Sequence, residues 1–255
     1  MNVVYVFLGS IKKFSNAAYY DKVYQGLPDV RKKKADSHRQ IMDKARSVGV
    51  WRLFEEGKKA LHIKDDDGLV YNFSHSGEYA LVAIAKPSEI DEKKLLLGCD
   101  LEVIRPDIPE KSEDESDDKD LNEFIPSNVI FEDKVKEDKR KYLKMAKRFF
   151  TANEVEIMMT PSERKKQKAM FYRFWTLKES FMKATKQGMA LDIQSFEIDF
   201  KEKEHCFKSP YLKVQPKDWT DKFYYREFKV EDLAIAICAN VDLEGKNCKF
   251  KYIEF

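Results

Sequence analysis

Glu179 and Lys183 stand one helical turn apart in FYRFWTLKESFMKATKQG, residues 171–188. Phe171, Phe174, Trp175, Phe181 and Met182 recur there at helical spacing, which predicts one helix with a carboxylate and an ammonium at the edge of its apolar stripe. An i,i+4 pair of this kind also serves as plain surface support for a helix. A second pair of charges lies in LLLGCDLEV, residues 95–103, which reads as a strand. Its period of two puts Leu97, Cys99, Leu101 and Val103 on one face and Gly98, Asp100 and Glu102 on the other. Carboxylates two residues apart on a strand sit roughly 6–7 Å from each other at the backbone. Burial penalises two such anions, so the arrangement calls for a cation or for open solvent. Hard oxygen donors suit Mg²⁺, above all where substrate phosphates complete its octahedron. A wet acidic face on an edge strand is the plainer alternative.

Three further groups could do chemistry. Ser74-His75-Ser76-Gly77 sits between two strand-like runs, where imidazole, hydroxyl and backbone N–H groups can all meet one anion. The same residues could equally be an ordinary hydrogen-bonded turn. Arg39 follows the basic run RKKK at 31–34, which reads either as a phosphate clamp or as a solvated face. Glu154 lies three residues after Thr151, the spacing of a helix capping box, and that role explains it without catalysis.

The elements that must position these groups are readable in outline. Strands are expected at 2–8, 60–63, 69–73, 79–85 and 95–103, and helices at 15–24, 35–54 and from 139 onward. Further strands are expected at 196–200, 211–214, 223–228, 233–239 and 249–255. Helix followed by a small antiparallel sheet occurs twice, which suggests an α+β chain of two similar halves with a cleft between them. The expected divisions are 1–104, a charged surface insertion at 105–138, and 139–255.

Composition bounds the function. Lys and Arg total 47 against 45 Asp and Glu, so the chain as a whole is no polycation, although RKKK and KRKYLKMAKR (139–148) are locally basic. The cysteines 99, 206, 238 and 248 lack CxxC spacing and read as free thiols in a reducing compartment. The opening MNVVYVFLGS is too short to span a bilayer and lacks a basic leader, so a soluble cytoplasmic protein is expected.

Six blocks in order carry a resemblance: ADSHR (35–39), GKK (57–59), NFSHSG (72–77), GCDLE (98–102), AKRFFTANE (146–154) and WTLKESFMK (175–183). Together they resemble the signature blocks of the Sfp-type 4′-phosphopantetheinyl transferases. That resemblance implies a pseudo-twofold pair of α/β half-domains with the active site between them. It implies transfer of 4′-phosphopantetheine from coenzyme A to a serine of an acyl or peptidyl carrier protein, releasing adenosine 3′,5′-bisphosphate. By the same resemblance Asp100, Glu102 and Glu179 hold Mg²⁺, with Mn²⁺ as a substitute. Lys183 neutralises phosphate, Arg39 and His75 contact coenzyme A phosphates, and Lys58 and Ser74 line that site. Lys178 supports Glu179 or a phosphate, and Glu154 is the candidate general base. A monomer with no nucleic-acid or membrane partner is implied. GKK departs from the family's GKP turn by lacking the proline, and Cys99 replaces a branched aliphatic residue. A noncatalytic nucleic-acid-binding or scaffold protein is the contrasting reading, and a different Mg²⁺ phosphohydrolase a third.

Overall fold

Apolar strands pair into sheets, and helices cover their outer faces. The computed structural model describes residues 3–66, 68–86, 95–104, 141–201, 209–217 and 219–255. The expected insertion at 105–138 and Cys206 lie outside them. In the first sheet β1 (Val4–Ser10) and β2 (Val70–Ser76) both pair antiparallel with β3 (Tyr79–Ala85). In the second, β4 (Leu97–Val103) and β7 (Tyr224–Val230) both pair antiparallel with β8 (Leu233–Ala239). β5 (Glu197–Lys201) and β6 (Ser209–Val214) form a separate ribbon. β9 (Cys248–Ile253) adds in parallel to β1, giving the order β2-β3-β1-β9 beside β4-β8-β7.

The helices are α1 (Ala17–Gln25), α2 (Asp29–Asp36), α3 (Ile41–Ala60), α4 (Lys141–Phe149), α5 (Ala152–Met159) and α6 (Arg164–Ala184). Alternation along the strands sorts the core into three layers. Phe7, Val82 and Ile84 meet Trp51, Leu53 and Phe54 of α3. Val4, Val6, Leu81 and Ala83, on the other face of that sheet, meet Leu97, Cys99, Leu101, Ile235 and Ile237. Ala236 and Cys238, on the far face of the second sheet, meet Phe174, Leu177 and Phe181 of α6. β3 and β8 are apolar throughout because each is covered on both faces. The fold is mixed α+β. Strand, helix and hairpin recur as β1–α3–β2–β3 and β4–α6–β7–β8, with the same pairing in each. The halves expected from sequence exchange strands: β4 joins the second sheet and β9 the first.

Several boundaries differ from expectation. The helix expected at 35–54 is two helices, because the chain breaks at Ser37–Gln40, where the Ser37 hydroxyl donates to the Lys34 carbonyl and Gln40 turns extended. The strand expected at 60–63 is the end of α3. Leu61 and Ile63 donate their N–H groups to the Gly57 and Lys58 carbonyls, and His62 turns with φ +56°. α6 begins at Arg164 rather than 171 and stops at Ala184, two residues before Lys186 enters the left-handed region. Cys99, Cys238 and Cys248 are free and buried.

Candidate active site

Glycine brings α6 onto β4. A Cβ at Gly98 would lie 2.0 Å from the Ser180 carbonyl oxygen and 2.5 Å from the Ala184 nitrogen, so no other residue allows this approach. The next two positions on that strand face are Asp100 and Glu102, and Asp100 meets Lys183 of α6. The Lys183 ammonium donates to Asp100 Oδ1 at 2.6 Å and to the Ser74 hydroxyl at 3.2 Å. Asp100 is 4% exposed, and its Oδ2 is buried with no hydrogen-bond partner among the described residues.

β2 supplies the other wall. Its Asn72, Ser74 and Ser76 point at the open edge of β4. Cys99, Leu101 and Val103 of β4 donate their backbone N–H groups to Asn72 Oδ1, Ser74 Oγ and Ser76 Oγ, each at 3.2 Å. The two serines in turn donate to carboxylates, Ser74 to Asp100 Oδ1 at 2.8 Å and Ser76 to Glu102 Oε2 at 2.7 Å. The edges of the two sheets are thus joined by side chains rather than by a backbone ladder. The sequence places Ser74 and Ser76 in one anion-binding or turn group and gives Asn72 no role. Their period-two spacing on one strand face was the available signal.

The anions crowd one another. Burial first, then the charge of Asp100, pushes Glu102 up to about 7, against the opposing hydrogen bond from Ser76. Burial and Asp100 also raise Glu179, with Lys183 opposing. Burial works against the charge of Lys183, but the charge and hydrogen bond of Asp100, joined by Cys99 and Glu179, together outweigh it and hold the ammonium above its ordinary value. The His75 ring reaches solvent on the opposite face of β2 from the serines. Desolvation by the surrounding protein, then the charges of Arg46 and Lys183, hold it below its ordinary value and therefore neutral near pH 7.

A divalent cation fits this donor set. Among the described residues no group of three His, Cys, Asp or Glu side chains stands ready-made around a metal position. Mg²⁺ does not require one, because it keeps waters and takes one or two carboxylates together with substrate phosphates. Asp100 Oδ2 is a hard donor with no hydrogen-bond partner among the described residues, while Lys183 pairs with the other oxygen of the same carboxylate.

Two expectations are corrected. Glu154 and Lys178 form a wholly buried ion pair, both 0% exposed. Lys178 donates to the two Glu154 oxygens at 2.7 and 2.8 Å and to the Phe196 carbonyl at 2.8 Å. Glu154 also accepts from the N–H groups of Thr151 and Ile198, each at 2.8 Å, and the capping box with Thr151 is complete. A general base must reach the proton it removes. This carboxylate is enclosed and saturated, so it anchors α5 to α6 and β5. Lys178 serves that anchor rather than Glu179 or a phosphate.

The second correction concerns Gly57-Lys58-Lys59, which is the last turn of α3 and not a turn before a strand. A Cβ at Gly57 would lie 2.9 Å from the Phe7 ring, so this glycine serves helix-on-sheet packing. The Lys58 ammonium bonds Asp66 and Glu55, at 2.5 and 3.0 Å, above the Phe54 ring. Arg39 lies exposed between α2 and α3. The site therefore gathers Ser74, Asp100, Glu102, Glu179 and Lys183, with His75 on the same strand.

Comparison with known proteins bears on this geometry. A sequence model of the 4′-phosphopantetheinyl transferase superfamily matches residues 130–238. That stretch, less than half of the chain, is similar to the superfamily. The match includes Glu179 and Lys183 and leaves Asp100 and Glu102 outside it. The 4′-phosphopantetheinyl transferase HetI of a Nostoc species is 32% identical over 133 residues, 52% of this chain and 39% of that protein. The human L-aminoadipate-semialdehyde dehydrogenase-phosphopantetheinyl transferase is 29% identical over 129 residues, 51% of this chain and 31% of that protein. The matched stretch thus spans about two-fifths or less of these relatives (39% and 31%). The crystal structure of holo-[acyl-carrier-protein] synthase from Neisseria meningitidis is similar at 14% identity and a TM-score of 0.36, covering 56% of this chain and 95% of that one.

Proposed function

We propose that the protein transfers 4′-phosphopantetheine from coenzyme A to the serine hydroxyl of an acyl or peptidyl carrier protein, in a Mg²⁺-dependent reaction that releases adenosine 3′,5′-bisphosphate. The observation that carries this reading is the convergence of Asp100, Glu102 and Glu179 on Lys183, with Asp100 Oδ2 buried and without a hydrogen-bond partner among the described residues. The similarity of residues 130–238 to the superfamily supports the reaction class.

Asp100, Glu102 and Glu179 would hold the cation. When bound, it supplies Lewis acidity and charge neutralisation at the diphosphate. The chain's own groups do the positioning. The Lys183 ammonium, kept charged by Asp100, offsets phosphate charge as the bond to the leaving phosphate breaks. The neutral His75 ring offers an N–H to a phosphate oxygen without adding charge. Arg39 and Lys58 would meet the outer phosphates of coenzyme A, Lys58 by leaving Glu55 and Asp66. The repeated strand–helix–hairpin units are read as halves related by a pseudo-twofold axis, with the β2–β4 seam at the cleft. One chain then provides the whole site, so a cytoplasmic monomer suffices, and neither nucleic acid nor membrane is required. No helix among the described residues is long and apolar enough to cross a membrane.

The test is intact-mass analysis of an apo carrier protein incubated with this protein, coenzyme A and Mg²⁺. A gain of one phosphopantetheine, abolished by EDTA and by Asp100→Asn or Glu179→Gln in proteins that still melt cooperatively, is the expected result. No mass gain across acyl and peptidyl carriers would overturn the reading, and full activity in either variant would remove the cation site from it.

A further inference from the structure

The Asn72–Ser74–Ser76 ladder has a chemical logic beyond joining two sheets. A serine hydroxyl has one proton and two lone pairs. Ser74 uses all three: it accepts from the Leu101 N–H and the Lys183 ammonium and donates to Asp100 Oδ1. Ser76 accepts from the Val103 N–H, so its one proton goes to Glu102 Oε2. Each serine therefore ties down one oxygen of a carboxylate and leaves the other to face elsewhere. On Asp100 the remaining oxygen is the buried Oδ2, which has no hydrogen-bond partner among the described residues. Asn72 continues the ladder at the Cys99 N–H without touching either acid.

We propose that Ser76 is a positioning residue that aims Glu102 for a divalent cation, and that Asn72 is a register residue holding β4 beside β2 for the same purpose. This rests on the transferase reading and deepens it. Neither side chain is asked to touch substrate. Ser76 fixes the rotamer of Glu102, and Asn72 keeps the edge strand from sliding along β2. A hydroxyl hydrogen-bonded to an acidic ligand characteristically tunes affinity about 10–100-fold.

The experiment uses the full chain and Mn²⁺ as a spectroscopic stand-in for Mg²⁺. Free Mn²⁺ is followed by its electron paramagnetic resonance signal, alongside carrier modification and amide hydrogen exchange at Val103 and Cys99. Ser76→Ala is expected to weaken Mn²⁺ binding at least tenfold and to speed exchange at Val103, with cooperative melting retained. Ser76→Thr keeps the hydroxyl and is expected to restore both. Asn72→Ala is expected to speed exchange at Cys99 and to weaken Mn²⁺ binding less than Ser76→Ala does. Wild-type Mn²⁺ affinity and transfer rate in Ser76→Ala would overturn the inference while leaving the transferase reading standing. Equal loss in Ser76→Ala and Ser76→Thr, tracking a fall in melting temperature, would also overturn it, because that pattern marks a purely structural contact. A wild-type protein that neither binds Mn²⁺ nor modifies a carrier would remove the transferase reading and this inference together.

Discussion

At the scale of single residues, charge burial separates two sites that share α6. Lys178 and Glu154 satisfy each other completely, with two backbone N–H groups and one carbonyl closing the set. Removing one partner from such a pair leaves an uncompensated buried charge or dipole, at about 3–5 kcal/mol. Glu154→Gln and Lys178→Met are each expected to lower stability by that order in urea denaturation. The double change Glu154→Leu with Lys178→Met should cost clearly less than the sum. A single variant as stable as the parent that nonetheless fails to transfer would return Glu154 to a catalytic role.

Glu102 behaves oppositely. Its folded value of about 7 stands above the ordinary 4.5, so between these values the folded state binds more protons than the unfolded chain. Stability contributed by this group is present at low pH and declines as pH rises from about 4.5 to about 7. The groups that face it are Asp100 and Glu179, which add repulsion, and Ser76 and Lys183, which relieve it. Mg²⁺ should therefore raise the melting temperature more at pH 8 than at pH 5.5. Equal shifts at both values would mean that Glu102 is not part of the cation site.

At the scale of elements, close approach decides what the helices can present. The Gly98 contact puts the last turns of α6 against β4, and that contact sets the reach of Lys183 to Asp100. Gly98→Ala should force strand and helix apart and cost at least ~1–3 kcal/mol, the range for overpacking. Circular dichroism melting measures the loss, and transfer should fall further than stability alone accounts for. An unperturbed melt would show that the glycine is dispensable. This face of β4 was legible because a period of two needs only seven residues, Leu97–Val103, to sort Gly98, Asp100 and Glu102 from their neighbours. The start of α6 was less so, since 164–168 reads RKKQK and offers no apolar rhythm. GKK misled for a related reason. A glycine followed by lysines resembles a turn, but here tertiary packing against Phe7 selects the glycine and the helix C-terminus favours the cations. The β2–β4 seam joins residues 26 or 27 apart in sequence through side chains alone, and no local pattern announces such a partner.

At the scale of the molecule, the two sheets hold together through three unlike joints. One is the apolar layer between them, another is the side-chain seam, and the third is β9. β9 runs parallel to β1 in the first sheet, while its Phe250 stacks on Phe228 of β7 in the second at 4.7 Å between ring centroids. Just beyond it, the Phe255 ring packs edge-on against Phe14. A chain cut after Asn247 loses this clasp and bares the edge of β1, whose residues 4–9 pair with 248–253. Burying a large apolar side chain stabilises by roughly 1.5–3 kcal/mol, so losing the set should cost several kcal/mol. The bared edge should also make the shortened chain self-associate, as open strand edges do. Urea denaturation and concentration-dependent light scattering check the two effects separately. The site lies at β2 and β4, the opposite end of the first sheet from β9. Any shortened protein that stays monomeric and folded should therefore keep its Mn²⁺ affinity. Loss of Mn²⁺ binding in a stable, monomeric truncation would mean that β9 fixes the angle between the sheets and not merely their cohesion.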